Sequence, residues 1–447
     1  MAGTPSPDAS GNSPRARVVP PDILWAFVLV TSLFAMWGFA NDITNPMVAA
    51  FKNILLLSYT ESALVQFAFY GGYCVMAIPA ALFIKRFRYK TGILVGLALY
   101  TTGCLLFIPS GWMMAFWAFL VSYFVMTCGL SFLETSANPY VLAMGPEETA
   151  TQRLNFAQAF NPIGSLTGML VAKNLILARL DTTSEETRRV LQQTAPEQFA
   201  AIRQHDLDII IGPYMALGLV VLVALVVFAV ARLPRSKGDD DTSLNVGPTL
   251  KRLFRNRKYL EGVVAQTFYV GVQIMVWTFI IQYGVNELGL TAEKAQGYNM
   301  VAMVIFVSSR FVCTYLLRYI SPGGLLMTLA IGGGALVVGT IFIRGMLGLY
   351  CLIGVSACMS LMFPTIYGIA LKGLGDDAKL GAAGLIMAIG GGSVMPPLQA
   401  RIMDMDAFNL GFLTLSSTRA SFVLPLICFV VIAIFGFRTS KVHGHTY

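Results

Sequence analysis

Two carboxylates stand inside stretches of this 447-residue chain that are otherwise suited to hydrocarbon. Asp42 lies in MWGFANDITNPMVAAF, residues 36–51, beside Asn41, Thr44 and Asn45, and Glu134 lies in GLSFLETSANPY. A charged side chain near the bilayer centre costs roughly 2.5–3.5 kcal/mol on insertion scales, so such groups are kept for a use. The plainer alternative places both at helix ends, Asp42 at an interface and Glu134 where its helix stops at Pro139. Tyr140 to Met144 remain apolar, which sets Glu134 deeper than an end cap. A carboxyl withdrawn from water resists ionisation, and a group of that kind can take up and release a proton near neutral pH.

Neutral polar residues fall into stripes at helical spacing. Trp37, Asn41 and Asn45 step by four, with Asp42 three before Asn45. Gln66, Tyr70 and Tyr73 form a second stripe, Gln158, Asn161 and Ser165 a third, and Gln266, Tyr269, Gln273 and Trp277 a fourth. One such stripe is most often the polar contact between two helices. Four of them, mixing amides with Trp and Tyr, point to a wet central cavity. Amides and carboxylates satisfy a ring of hydroxyls, while indole and phenol faces pack on the C–H faces of a pyranose. An anionic substrate would call for several inward cations. The spans offer Arg310, read as a gate residue at the cytoplasmic end of its helix, with Lys173 and Arg153 near helix ends. A neutral polyhydroxyl substrate fits these residues best.

No phosphate-binding loop of Walker type occurs, which argues against ATP drive within the chain. A proton is the expected coupling ion, with no cofactor and no metal; sodium stays open, since acids and broken-helix carbonyls bind it too. No metal-ligand cluster or nucleophile–base arrangement suggests an enzyme.

The elements that must position these groups follow from composition. The chain is 56% hydrophobic and 12% charged, against roughly 25% charged in soluble domains. Apolar stretches long enough to cross a bilayer recur throughout, at 24–50, 61–84, 91–109, 112–138, 153–178, 208–232, 259–286, 295–317, 322–342, 346–371, 379–402 and 413–437. The expected fold is therefore all-α and polytopic, with twelve transmembrane helices as two six-helix pseudo-repeats. The expected units are a disordered cytoplasmic tail (1–22), a six-helix bundle (23–232), a cytoplasmic linker (233–258), a second bundle (259–438) and a cytoplasmic tail (439–447). A weak echo between ANPYVLAMGPEE and MFPTIYGIALKGLGDD supports the repeat, each pairing a proline inside an apolar helix with a glycine exit.

Of the 31 Lys and Arg residues, about 20 fall in the tails and even-numbered loops, which places both termini in the cytoplasm. The net charge of +8 thus belongs to loops at a membrane surface, and no nucleic-acid partner is expected. The first twenty residues hold no apolar core of a signal peptide and read as a flexible tail. The seven cysteines lie inside apolar spans and read as small buried hydrophobes.

The motifs WGFAN (37–41), QFAFYGGY (66–73), IPAALFIKRFRYKTGI (78–93), LETSANPYVLAMGPEE (133–148), RLNFAQAFNPIGS (153–165), AQTFYVGVQIMVW (265–277) and FPTIYGIALKGLG (363–375) together resemble the fucose–galactose–glucose:proton symporters of the major facilitator superfamily. The resemblance runs from about residue 25 to 437 and looks closest to the L-fucose permeases. It implies a bacterial inner-membrane monomer that imports a monosaccharide, foremost L-fucose, with a proton by alternating access at a midplane site. Glucose, galactose or an amino sugar is the alternative cargo, and a sugar sensor that does not translocate is the more distant one. By the same resemblance Glu134 matches the family's protonatable glutamate, Gln158 and Asn161 match cavity amides, and Trp37 and Trp277 match aromatics on the two halves. Phe363 stands where the fucose permease pattern has tyrosine. The pattern's second acid falls at Asn45, and this chain carries Asp42 one helical turn earlier instead.

Overall fold

The computed structural model describes residues 19–146, 150–234, 246–317, 319–374, 377–409 and 414–442. Most of the expected N-terminal tail, the middle of the linker, the paired acids Glu147 and Glu148, and the end of the C-terminal tail lie outside the described residues.

Twelve long helical stretches run through the described residues. They are α1 (Leu24–Leu55), α2 (Tyr59–Ile84), α3 (Tyr89–Met113), α4 (Phe116–Ala143), α5 (150–177) and α6 (Pro196–Val230). After the linker come α7 (Arg257–Leu288), α8 (Ala292–Leu316), α9 (Pro322–Phe342), α10 (Met346–Leu371), α11 (Leu380–Met403) and α12 (Ser417–Ser440). Among the described residues ten of these, all but α5 and α8, are long and apolar enough to cross a bilayer. In the first half α1 packs along α5, and α4 packs along α2 and α3 with α6 behind α3. In the second, α7 lies against α11 and α12, α9 against α10 and α12, and α8 against α10. The halves meet where α2 crosses α11 and α5 crosses α8.

Several boundaries differ from the sequence expectation, each for a local reason. Pro46 bends α1 without ending it, as the expected span 24–50 allows, and helix continues from Met47 to Leu55, past the expected end. Pro139 does not end α4 either, so Glu134 is interior to a helix that runs to Ala143. The polar side chains of that turn bond back along the helix, Thr135 to the Ser131 carbonyl at 2.7 Å and Asn138 to that of Glu134 at 3.0 Å. The connection between the expected spans 153–178 and 208–232 holds a short helix, Glu185–Thr194, capped by Ser184 and acidic in its first turn. α6 then begins at Pro196, a residue suited to a first helical position. The linker contains a further helix, Val246–Arg255, whose Arg252 pairs with Asp377 at 2.6 Å. A two-stranded hairpin, Phe408–Asn409 with Thr414–Leu415, joins α11 to α12.

The pseudo-repeat is imperfect in a way that matters. α4 passes unbroken through Pro139, whereas α10 breaks at Ser360–Leu361 and restarts at Met362 with Pro364 in its new first turn. Close approach of α1 and α5 depends on glycine. A Cβ on Gly38 would stand 2.1 Å from the Asn161 carbonyl oxygen, and one on Gly164 would stand 1.8 Å from that of Ala35. Small residues of this kind let membrane helices meet backbone to backbone. That contact carries Asn161 and Ser165 of α5 to the polar stripe of α1.

Candidate functional site

The stripes converge on one cavity of about 250 Å³ between the two halves. From the first half come Trp37, Asn41, Asp42 and Asn45 of α1, Tyr70 of α2, Glu134 of α4, and Gln158 and Asn161 of α5. From the second half come Tyr269, Gln273 and Trp277 of α7, Arg310 of α8 and Phe363 of α10. Tyr73 and Ser165 also line it; their stripes had already pointed there. Met303, Phe306 and Val307 of α8 add an apolar wall that no polar spacing could signal.

Gln66 is the exception among the expected sugar-binding residues. It is fully buried and absent from the cavity wall, standing behind Asn45, to which its amide donates at 3.1 Å. It shares a helical face with Tyr70 and Tyr73, but at its depth that face meets the other half of the protein. Its second hydrogen goes to the Thr278 hydroxyl of α7 at 2.8 Å.

The acids sit in contrasting surroundings. Asp42 is 4% exposed and accepts from Asn45 Nδ2 at 3.1 Å. The Ser165 hydroxyl of α5 donates to the Gly38 carbonyl of α1, one turn before the acid, at 3.4 Å. Pro46 has no N–H for the Asp42 backbone carbonyl four residues earlier, which is why α1 turns just beyond the acid. Glu134 faces the cavity with Oε2 buried and unbonded to any described residue. Asn41 Oδ1 and the Tyr73 hydroxyl are buried with unmet bonding capacity as well. Buried polar atoms of this kind are normally satisfied, so their gathering on one wall fits a site completed by water or a hydroxylated ligand.

The aromatic groups are fixed from behind. Trp277 donates to the Ser356 hydroxyl at 3.2 Å and meets Phe306 edge-on at 5.0 Å. Tyr269 donates to the Met359 carbonyl at 3.1 Å and lies against Phe363 at 6.1 Å. Arg310, expected as a gate residue, stands on the cavity wall and donates through Nε to the Ser360 carbonyl at 3.0 Å. Ser360 is four residues before Pro364, which supplies no backbone donor, so the guanidinium fills the bond that the proline leaves open.

The two ends of the cavity differ. At the face bearing the α1–α2 turn, the halves are tied by hydrogen bonds. Asp404, just past the end of α11, accepts from the backbone N–H groups of Tyr59 and Thr60 at 2.7 Å each, and Asn286 of α7 donates to the Tyr59 hydroxyl at 2.7 Å. Deeper in, Ser393 donates to the Phe67 carbonyl at 2.9 Å. Toward the face that bears the termini, Gln158 is exposed and donates to Asn138 at 3.1 Å. The cavity is thus shut at one face and open at the other.

Comparison with known proteins agrees with this architecture. The model of the Major Facilitator Superfamily matches residues 28–398. The chain is 52% identical over 430 residues to the L-fucose-proton symporter of Haemophilus influenzae, an alignment covering 96% of this chain and 99% of that one. It is 34% identical over 432 residues to the L-fucose-proton symporter of Escherichia coli, covering 96% and 94% of the two chains. A crystal structure of the transporter FucP in the outward conformation aligns at a TM-score of 0.71 with 34% identity, covering 94% of this chain and 99% of that one. A helical membrane protein with two facing bundles and a polar cavity between them, matched over this length, is a transporter and no enzyme: the chain belongs to the Major Facilitator Superfamily.

Proposed function

We propose that this protein imports L-fucose together with a proton, by rocking its two halves about the central cavity. The observation that carries the reading is the wall itself, on which two withdrawn carboxyls share a cavity with amides and with an indole from each half. The amides and acids match the hydroxyls of a neutral sugar, and Trp37 and Trp277 offer faces for its C–H surface. Relatives named for L-fucose and proton symport at 52% and 34% identity support the choice of sugar and ion. The coupling ion is the proton, and no cofactor takes part.

The protein works as a monomer in the inner membrane of a bacterium, with the termini-bearing face in the cytoplasm, as the placement of Lys and Arg suggests. The structure then corresponds to the inward-open stage of the cycle. The units are bundles 23–232 and 259–438, joined by the linker 233–258. Glu134 carries the transported proton, and Asp42 takes the part of a second acid that shapes sugar affinity and its pH dependence.

The test is proteoliposome uptake across a sugar panel that begins with L-fucose and includes glucose, galactose and N-acetylglucosamine. L-fucose should drive proton influx and accumulate when the outside is acid. Accumulation of another sugar in its place, or L-fucose movement with no proton signal, would overturn the assignment.

A further inference from the structure

A chain of buried hydrogen bonds runs from the second half of the protein to the Asp42 carboxyl. Thr278 of α7 accepts from Gln66 Nε2 at 2.8 Å, Gln66 Nε2 donates to Asn45 Oδ1 at 3.1 Å, and Asn45 Nδ2 donates to Asp42 Oδ1 at 3.1 Å. Thr278 and Gln66 are fully buried, and Asn45 is 1% exposed. Three of these residues move with the first half. The bond from Gln66 to Thr278 is the one that rocking must break.

We propose that Gln66 is a positioning residue that ties the protonation of Asp42 to closure of the sealed face, through the chain Thr278–Gln66–Asn45–Asp42. This inference rests on the reading of the protein as a proton-coupled symporter. An amide has a donor end and an acceptor end, so the direction of one bond in the chain sets the next. With Thr278 in place, both hydrogens of the Gln66 amide are engaged, and its Oε1 is buried without a partner. Asn45 must then turn its own Nδ2 to the acid, which meets that donor as an acceptor and needs no proton on that oxygen.

A proton on Asp42 Oδ2 weakens that bond, because a neutral carboxyl accepts less strongly than a carboxylate, and a proton on Oδ1 demands the reverse direction. Asn45 would offer its Oδ1 to the acid and give its Nδ2 to Gln66 Oε1. Opening of the sealed face takes the Thr278 hydroxyl away from Gln66, so the amide is no longer pinned across the boundary and can turn its Oε1 to Asn45. Closure therefore favours loss of the proton from Asp42 to water in the cavity, which is then open at the other face. Opening favours its recapture. That order is the one an importer driven by an inward proton gradient needs.

Other groups face the same acid and are common to every variant compared below. Tyr70 and Tyr73 of α2, Glu134 of α4, Ser165 of α5, Tyr269 of α7 and Arg310 of α8 share its cavity. On the opposite side of α1, Thr44 meets the Tyr214 hydroxyl of α6 at 3.4 Å.

The experiment compares wild type with Thr278→Val, Thr278→Ser and Gln66→Met in proteoliposomes. Sugar exchange at equal pH on both sides is measured beside net proton-driven uptake across external pH. Thr278→Val should keep exchange and move the pH midpoint of net uptake by about one unit, the size of a hydrogen bond to a charged group. Thr278→Ser, which keeps the hydroxyl, should restore the wild-type midpoint. Gln66→Met should move the midpoint as far as Thr278→Val, and the double variant no further. In an Asp42→Asn background Thr278→Val should add nothing. If Thr278→Val impaired exchange, the pH midpoint of sugar binding, read from tryptophan fluorescence, would decide in its place. Unchanged midpoints in Thr278→Val and Gln66→Met, with wild type still coupling sugar to protons, would overturn this inference alone. A wild type that moves no protons with sugar would overturn the proposed function instead.

Discussion

Asp404, just past the end of α11, holds the backbone N–H of Thr60 at 2.7 Å, across the boundary between the two halves of the protein. The same carboxylate takes the N–H of Tyr59, so one acid caps the exposed first turn of α2 from the opposing bundle. Free N–H groups at a helix start are natural partners for a carboxylate, and this pair exists only while that face is shut. Asp404→Ala should weaken closure by about 1.5–3 kcal/mol, the range for hydrogen bonds to a charged group. Hydrogen exchange of the amides at 59–62 reports it directly: it should rise in the variant. Unchanged exchange there would show that other contacts hold the face closed.

Glu134 and Asp42 separate by the kind of transport they support. Glu134→Gln should abolish proton-driven accumulation, a loss of more than about ten-fold, while sugar exchange persists, because coupling free energies of this kind are typically worth 1–3 kcal/mol. Asp42→Asn should retain accumulation at acid external pH with an altered affinity or pH profile. Paired uptake and exchange assays distinguish the two. Wild-type accumulation by Glu134→Gln at every pH would remove Glu134 from its role.

Arg310 and Pro364 should compensate one another. Arg310→Met strips the Ser360 carbonyl of the donor it receives at 3.0 Å, at a cost of about 1–3 kcal/mol. Pro364→Ala returns a backbone N–H four residues on, so the double variant should regain thermal stability relative to Arg310→Met. A strictly additive double variant would mean that the two groups act apart.

Gly164 has no room to grow. Its Cβ would lie 1.8 Å from the Ala35 carbonyl oxygen, so Gly164→Ala must push α5 off α1 and should cost about 1–3 kcal/mol. The thermal midpoint in detergent should fall. Sugar affinity should fall with it, because Asn161 and Ser165 lose their register against the α1 stripe.

Glu185, on the short helix outside the spans, accepts from Lys52 at 2.6 Å and from Arg189 at 2.8 Å. Partial burial opposes its ionised form, but the two cations outweigh that and hold the carboxyl below the ordinary glutamate range. Because the folded-state value lies below the unfolded one, the stabilisation is complete above the unfolded value and disappears as pH falls through the folded one. Wild type should melt above Glu185→Gln at neutral pH by an amount worth about 0.2–1 kcal/mol. That gap should close in acid. A gap independent of pH would assign the effect to packing.

The sequence by itself determined that the chain is helical and membrane-spanning, because hydropathy and the 3.6-residue period are local properties. It also determined most of the cavity wall, since a stripe such as Trp37, Asn41 and Asn45 shares a side of its helix wherever that helix packs. Depth and partner were decided by the tertiary structure. Gln66 shares its stripe with Tyr70 and Tyr73, yet those two reach the cavity while Gln66 is enclosed against Thr278, a residue 212 positions away. Arg310 stood out in the sequence only as a cation near a helix end; its bond to the Ser360 carbonyl depends on the break in α10. Asp404, just past the end of α11, gave no signal at all, because its partners are two backbone N–H groups and the Thr60 hydroxyl of the other bundle, which no spacing within α11 can point to. Helical periodicity fixes a residue's direction about its own axis; which surface it meets depends on the rigid-body fit of the two halves, and that fit changes as the protein works.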